Sequence, residues 1–173
     1  MTFMLTIVST NERFIQSAQE IFTRYPTTVR ITRKWEISEN TAYIFPSDAY
    51  GNMYSSNAPD GYKTFLQENW GKPRYVTEPI WYISEGRVTI ISPCLNLGLF
   101  MYRECTKVPY EALRSCLVLI RKLSQQYTIT RIVIPALCCE PGGLDPEIPS
   151  LQMCQAWGDF MQSKDDIVDK IHL

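Results

Sequence analysis

Histidine is almost missing from this sequence: of 173 residues only His172 is one. That scarcity leaves no basis for assembling a Ser/His/Asp or Cys/His nucleophilic centre. Long apolar runs are missing too, and nothing approaches the ~20 residues that a membrane-spanning helix needs. The residues after Met1 show neither the basic region nor the apolar core of a secretory leader. Charge of one sign is also lacking, with 17 basic against 18 acidic side chains, which excludes nucleic-acid binding through a basic field. The six cysteines (Cys94, Cys105, Cys116, Cys138, Cys139 and Cys154) contain no C-x2-C pair of the kind a structural zinc site uses. Without a secretory signal they read as reduced, mostly buried thiols. These absences predict a cytoplasmic protein with no membrane segment, no metal and no cofactor.

What is present fits a packed core. Apolar residues make up 45% of the chain and aromatics 12%, which excludes a disordered tail. The length suits one domain, expected over residues 1–163, with a charged tail at 164–173. An apolar run at residues 3–8 precedes Ser9 and Glu12, spaced as a capping box. Phe14, Ile15, Ala18, Ile21, Phe22 and Tyr25 then recur at helical spacing, so the chain opens as strand, turn and amphipathic helix. Residues 27–37 alternate β-branched with basic side chains and predict a partly exposed strand. Residues 42–45 form a short apolar strand, and a helix comes next at 62–70. Two β-rich runs, 79–84 and 87–92, flank Glu85-Gly86 and predict a hairpin. Tyr110, Leu113, Leu117 and Ile120 mark another helix, ending near Tyr127. Ile132-Val133-Ile134 reads as a strand covered on both faces. Asp145-Pro146-Glu147 starts a last helix through Met153, Trp157 and Met161. This alternation predicts a mixed sheet with helices on both faces.

Ligands of open α/β sheets bind outside the carboxyl ends of the strands. Two loops there have compositions suited to a site: residues 46–61, and residues 138–144 with Gly142-Gly143 opening onto a helix. The second can aim backbone N–H groups at a phosphate, or its glycines can simply make the turn.

The run Ile132-Val133-Ile134-Pro135, the loop through Gly142-Gly143 and the later Gln152-Met153 resemble the late signature of the macro domain family. Upstream, Ile44-Phe45-Pro46-Ser47-Asp48-Ala49-Tyr50-Gly51-Asn52-Met53 is similar to the segment after that family's third strand. The resemblance spans residues 3–160 and implies a three-layer α/β/α fold with a mixed central sheet. It further implies binding of ADP-ribose or a related nucleotide. Glu36 before Ile37 stands where the family has an adenine-binding Asp-Ile pair, and Asp48 where it has a ribose-side asparagine. The family's Gly-Thr-Gly is replaced by Cys138-Cys139-Glu140, with Pro141, Gly142, Gly143 and Leu144 after it. Tyr50, Gly51, Asn52 and Met53 would line the cleft, and Trp157 would stack on a ring there unless it packs in the core.

Three functions are compatible with this pattern. The first is a nucleotide-binding module, with a variant in which a viral or phage-borne protein sequesters a nucleotide signal. The second is a hydrolase acting on ADP-ribose conjugates, for which no catalytic residue can be named. The third is a macro-like fold with a decayed site that works through a protein partner.

Overall fold

The computed structural model describes residues 3–53, 58–95, 108–137 and 144–162. Among these residues six strands form: β1 (Met4–Val8), β2 (Val29–Thr32), β3 (Thr41–Pro46), β4 (Ile80–Ser84), β5 (Arg87–Ser92) and β6 (Arg131–Pro135). Four α-helices accompany them: α1 (Glu12–Ile21), α2 (Tyr62–Asn69), α3 (Val108–Leu123) and α4 (Glu147–Gln162). The fold is α/β, with a six-stranded mixed sheet and helices on both faces. The expected tail at 164–173 lies outside the described residues.

Local chemistry explains most boundaries and corrects one. Asn11, not Ser9, caps α1: its side-chain oxygen accepts the Phe14 N–H at 3.0 Å. Ser9 acts one step earlier, its Oγ accepting the Asn11 N–H at 3.1 Å. Either oxygen relieves an N–H that the helix cannot satisfy itself, and Asn11 stands closer to the helix start. Helix α3 stops at Leu123, and its carbonyl then takes the N–H groups of Gln126 and Tyr127 in a closing turn. At the β4–β5 hairpin both Glu85 and Gly86 have positive φ, +51° and +76°, as a two-residue type I′ turn requires.

The sheet order is β2-β1-β6-β3-β5-β4, parallel throughout except for β4 against β5. The last strand in the chain is thus inserted between the first and the third. Register sorts the side chains by face. Leu5 lies beside Ile132, Ile7 beside Ile134 and Ile44 beside Ile90, and all six are fully buried with α1, α3 and α4 in the main core. Each such side chain contributes roughly 1.5–3 kcal/mol by leaving water. The opposite face carries Phe45 beside Ile91 and Ile80 beside Ile91, covered by Tyr62, Phe65 and Leu66 of α2. Helix α4 packs against both α1 and α3, which is why it buries residues over most of its circumference, from Met153 and Cys154 to Ala156, Trp157 and Phe160.

Candidate ligand crease at the carboxyl edge of the sheet

Inserting β6 between β1 and β3 fixes where a ligand can approach. From β1 the chain turns through α1 to β2 on one side, and from β3 it moves to β5 and β4 on the other. The connections diverge on either side of β6, so a topological switch point lies there. At its carboxyl edge stand Ser9 after β1, Ser47-Asp48 after β3 and Ala136-Leu137 after β6. The ladder continues one step beyond the strands, with the Ala136 N–H bonded to the Val8 carbonyl at 2.9 Å.

The segment after β3 is built tightly. Asp48 is 4% exposed, and its Oδ1 accepts the N–H groups of Tyr50 and Asn52, each at 2.8 Å. Its Oδ2 accepts from Asn52 Nδ2 at 3.0 Å. Both carboxylate oxygens therefore hold the turn, and the buried carboxylate faces its own loop rather than solvent. Gly51 has φ +84°, which favours glycine, and a Cβ there would displace Leu66 Cδ1, 2.3 Å away, and press on the buried Trp70 ring at 3.0 Å. The Tyr62 hydroxyl donates to the Gly51 carbonyl, and Trp70 Nε1 donates to that of Ala49 at 2.9 Å. Burial pushes the Tyr62 phenol up, with Tyr82 and Asp48 adding to the effect, so it is a proton donor at any physiological pH. Tyr50 projects outward at 49% exposure, Asn52 is exposed, and Met53 packs against the α2 cluster.

Glu36 and Ile37 are placed differently. They lie between β2 and β3 on an exposed segment, with Glu36 Oε2 accepting from Arg30 at 3.0 Å and Ile37 largely in solvent. The adjoining Trp35 leans on Tyr43 and Phe45, ring centres 5.9 and 5.2 Å away, and holds the segment against the sheet. Two neighbouring basic side chains are paired: Arg30 with Glu36, and Arg33 with Glu12 of α1, whose carboxyl that pairing holds below its usual range.

Trp157 is fully buried in the main core, its ring 5.9 Å from Phe160. Its role is packing, and it offers no face to a ligand. Cys138, Cys139, Glu140, Pro141, Gly142 and Gly143 lie outside the described residues, and Leu144 is half-buried at the approach to α4. Among the described cysteines, Cys94, Cys116 and Cys154 are free and buried. Burial pushes the Cys94 thiol up to about 11 and raises those of Cys116 and Cys154 as well, which keeps them protonated and inert.

No family model matches this chain, and no curated protein matches it. The chemistry of the crease therefore has to be read from its own residues. Sequence reasoning did not single out Arg74, yet it bears on the segment after β3. Its N–H bonds the Ala49 carbonyl at 2.8 Å, and its guanidinium carbon lies 5.5 Å from the Trp70 ring centre. A cation thus stands beside the Asp48 turn; the available signal was a Gly71-Lys72-Pro73 turn directing it back from the end of α2.

A second concavity of about 540 Å³ lies between the end of α1 and α4, where Arg24, Tyr25, Cys154, Gln155 and Asp159 line it. It is on the helical side of the molecule, and its mixed charges converge on no one ligand class. Among the described residues no three His, Cys, Asp or Glu side chains gather to hold a metal, and no helix is long and apolar enough to cross a membrane.

Proposed function

We propose that this chain is a macro-like binding protein that takes ADP-ribose or a related nucleotide in the crease at the carboxyl edge of its sheet. The observation that carries this reading is the insertion of β6 between β1 and β3. It sets side by side the two strands, β3 and β6, after which the sequences that resemble the macro family's ligand loops follow. In chain order those segments are about ninety residues apart, and a sequence likeness alone does not require them to meet.

The state of Asp48 favours binding over turnover. A hydrolase needs a group that activates water beside the distal ribose, and this carboxylate is buried and turned to its own loop. Of the three side chains that would mark a decayed site by filling the crease, Tyr50 is turned outward and Trp157 is enclosed in the core, while Glu140 lies outside the described residues.

Thermal unfolding of the reduced protein against ADP-ribose, its cyclic isomers, NAD, ADP and AMP tests the reading. A ligand at ~100 times its dissociation constant stabilises by about 2.7 kcal/mol, enough to raise the midpoint by several degrees. A shift selective among these nucleotides is the expected result. If none of them moves the midpoint, the nucleotide reading fails and the protein-contact reading replaces it.

A further inference from the structure

The two edges of the sheet are managed differently, and the contrast points to a second copy of this chain. The β2 edge is short and carries charge: Arg30 is exposed within it, and Arg33-Lys34 come directly after it. Such charges discourage another strand from adding there. At the other edge, β4 reads Ile80-Trp81-Tyr82-Ile83-Ser84, with no charge inside it, between Glu78-Pro79 on one side and Glu85 on the other. Ile83 is 42% exposed, an apolar side chain on an edge that no other strand of the described residues covers.

The hairpin fixes which backbone groups of β4 are free. Ser84 and Arg87 flank a two-residue turn, so they form a hydrogen-bonded pair, as do Tyr82 with Thr89 and Ile80 with Ile91. The N–H and C=O groups of Trp81 and Ile83 then point away from the sheet. No backbone hydrogen bond reaches them from elsewhere among the described residues.

We infer that β4 pairs antiparallel with β4 of a second copy about a two-fold axis at Tyr82. Residue 81 of each copy then meets residue 83 of the other, and all the outward donors and acceptors are used. The alternative centred on Trp81 would set Ile83 against Pro79, which has no N–H to give, so that register is rejected. In the chosen register each Ile83 is covered by the opposing Trp81, and Glu78 comes opposite the turn of the second copy, where Arg87 is already paired with its own Glu85. The arrangement is isologous and closed, and it joins the two sheets into one. Two five-residue strands bury less than the ~1,200 Å² of a standard interface, so the dimer forms reversibly with concentration. It is independent of any ligand at the carboxyl edge.

Sedimentation over a range of protein concentration, together with amide hydrogen exchange, tests this. The expected mass rises from 20.0 kDa towards twice that value, and the Trp81 and Ile83 amides become protected in step with it. Ile83→Lys, a change at an exposed position, is expected to hold the chain at 20.0 kDa with its circular dichroism unaltered. A wild-type chain that stays monomeric up to sub-millimolar concentration overturns the proposal and leaves the edge to a strand of a different protein. A dimer in which the Trp81 and Ile83 amides exchange freely also overturns it, and that measurement needs no variant.

Discussion

Asp48 and Glu36 sit on two loop segments that are held in different ways. Residues 47–53 are fixed from within: Asp48 uses both oxygens on its own turn, Gly51 fits against Leu66 with no room for a Cβ, and Trp70 clamps the Ala49 carbonyl. Residues 33–40 are held from outside, by Trp35 resting on Tyr43 and Phe45, by the Tyr43 hydroxyl bonded to the Ser38 backbone and by the Arg33–Glu12 pair, while Glu36 and Ile37 stay exposed. The first carboxylate has been taken up by structure. The second keeps Oε1 without a partner among the described residues and is the one free to meet a ligand. A carboxylate's capacity to bind is set by what its own loop already asks of it.

A segment fixed from within should break under small changes. Gly51→Ala is expected to have the largest effect. It forces a side chain into the left-handed region at about 1–2 kcal/mol and crowds Leu66 for about another 1–3. A total of about 3 kcal/mol lowers the melting midpoint by roughly 10 °C in a chain of this size. Gly71→Ala is the control. Its φ is also positive, at +67°, but a Cβ there meets nothing within 4 Å, so only the conformational cost of about 1 kcal/mol remains. Equal melting points for the two variants would mean that Gly51 is not packed as described.

Asp48→Ala comes next. It leaves the Tyr50 and Asn52 N–H groups without their acceptor, which costs about 2 kcal/mol for hydrogen bonds to a charged group. Asp48→Asn keeps one oxygen for those N–H groups, and rotating the Asn52 amide supplies an acceptor for the new one. The asparagine variant should therefore recover most of the loss, read as a denaturant midpoint at unchanged slope. If alanine is as stable as wild type, Asp48 is not the turn's organiser and becomes available for chemistry again.

These contrasts also show what sequence can carry. The β4–β5 hairpin was legible because Glu85-Gly86 determines it within four residues, and the exposed character of β2 because its basic alternation is local. The place of β6 between β1 and β3 was not, since pairing between strands so far apart leaves no periodic trace. Trp157 was ambiguous for a related reason. A helix wedged between two others buries several faces, so its spacing does not reveal whether one ring looks into a cleft or into the core. The cap of α1 was missed by two residues, because Ser9 and Asn11 both offer an oxygen and only geometry ranks them. Of the site, the segment after β3 could be read as a loop of interest, but not the inward commitment of Asp48 or the return of Arg74 to it.

Glu36→Ala should have the smallest effect on folding and the most informative one on binding. The Arg30–Glu36 pair is exposed on both sides, and such pairs contribute about 0–1 kcal/mol, so the melting point of the free protein should barely move. The expected loss lies in the complex. If Glu36 accepts the amine of an adenine ring, removing it deletes a hydrogen bond to a charged acceptor, about 1.5 kcal/mol or roughly tenfold in dissociation constant. Arg30→Ala sharpens the test in the other direction: it releases the carboxylate from its present partner and should tighten adenine nucleotides while leaving any non-adenine ligand unaffected. Equal affinity in both variants would take the segment at 33–40 out of the site altogether. The crease would then have to recognise its ligand through the β3 and β6 carboxyl ends alone, with Arg74 as the cation beside them.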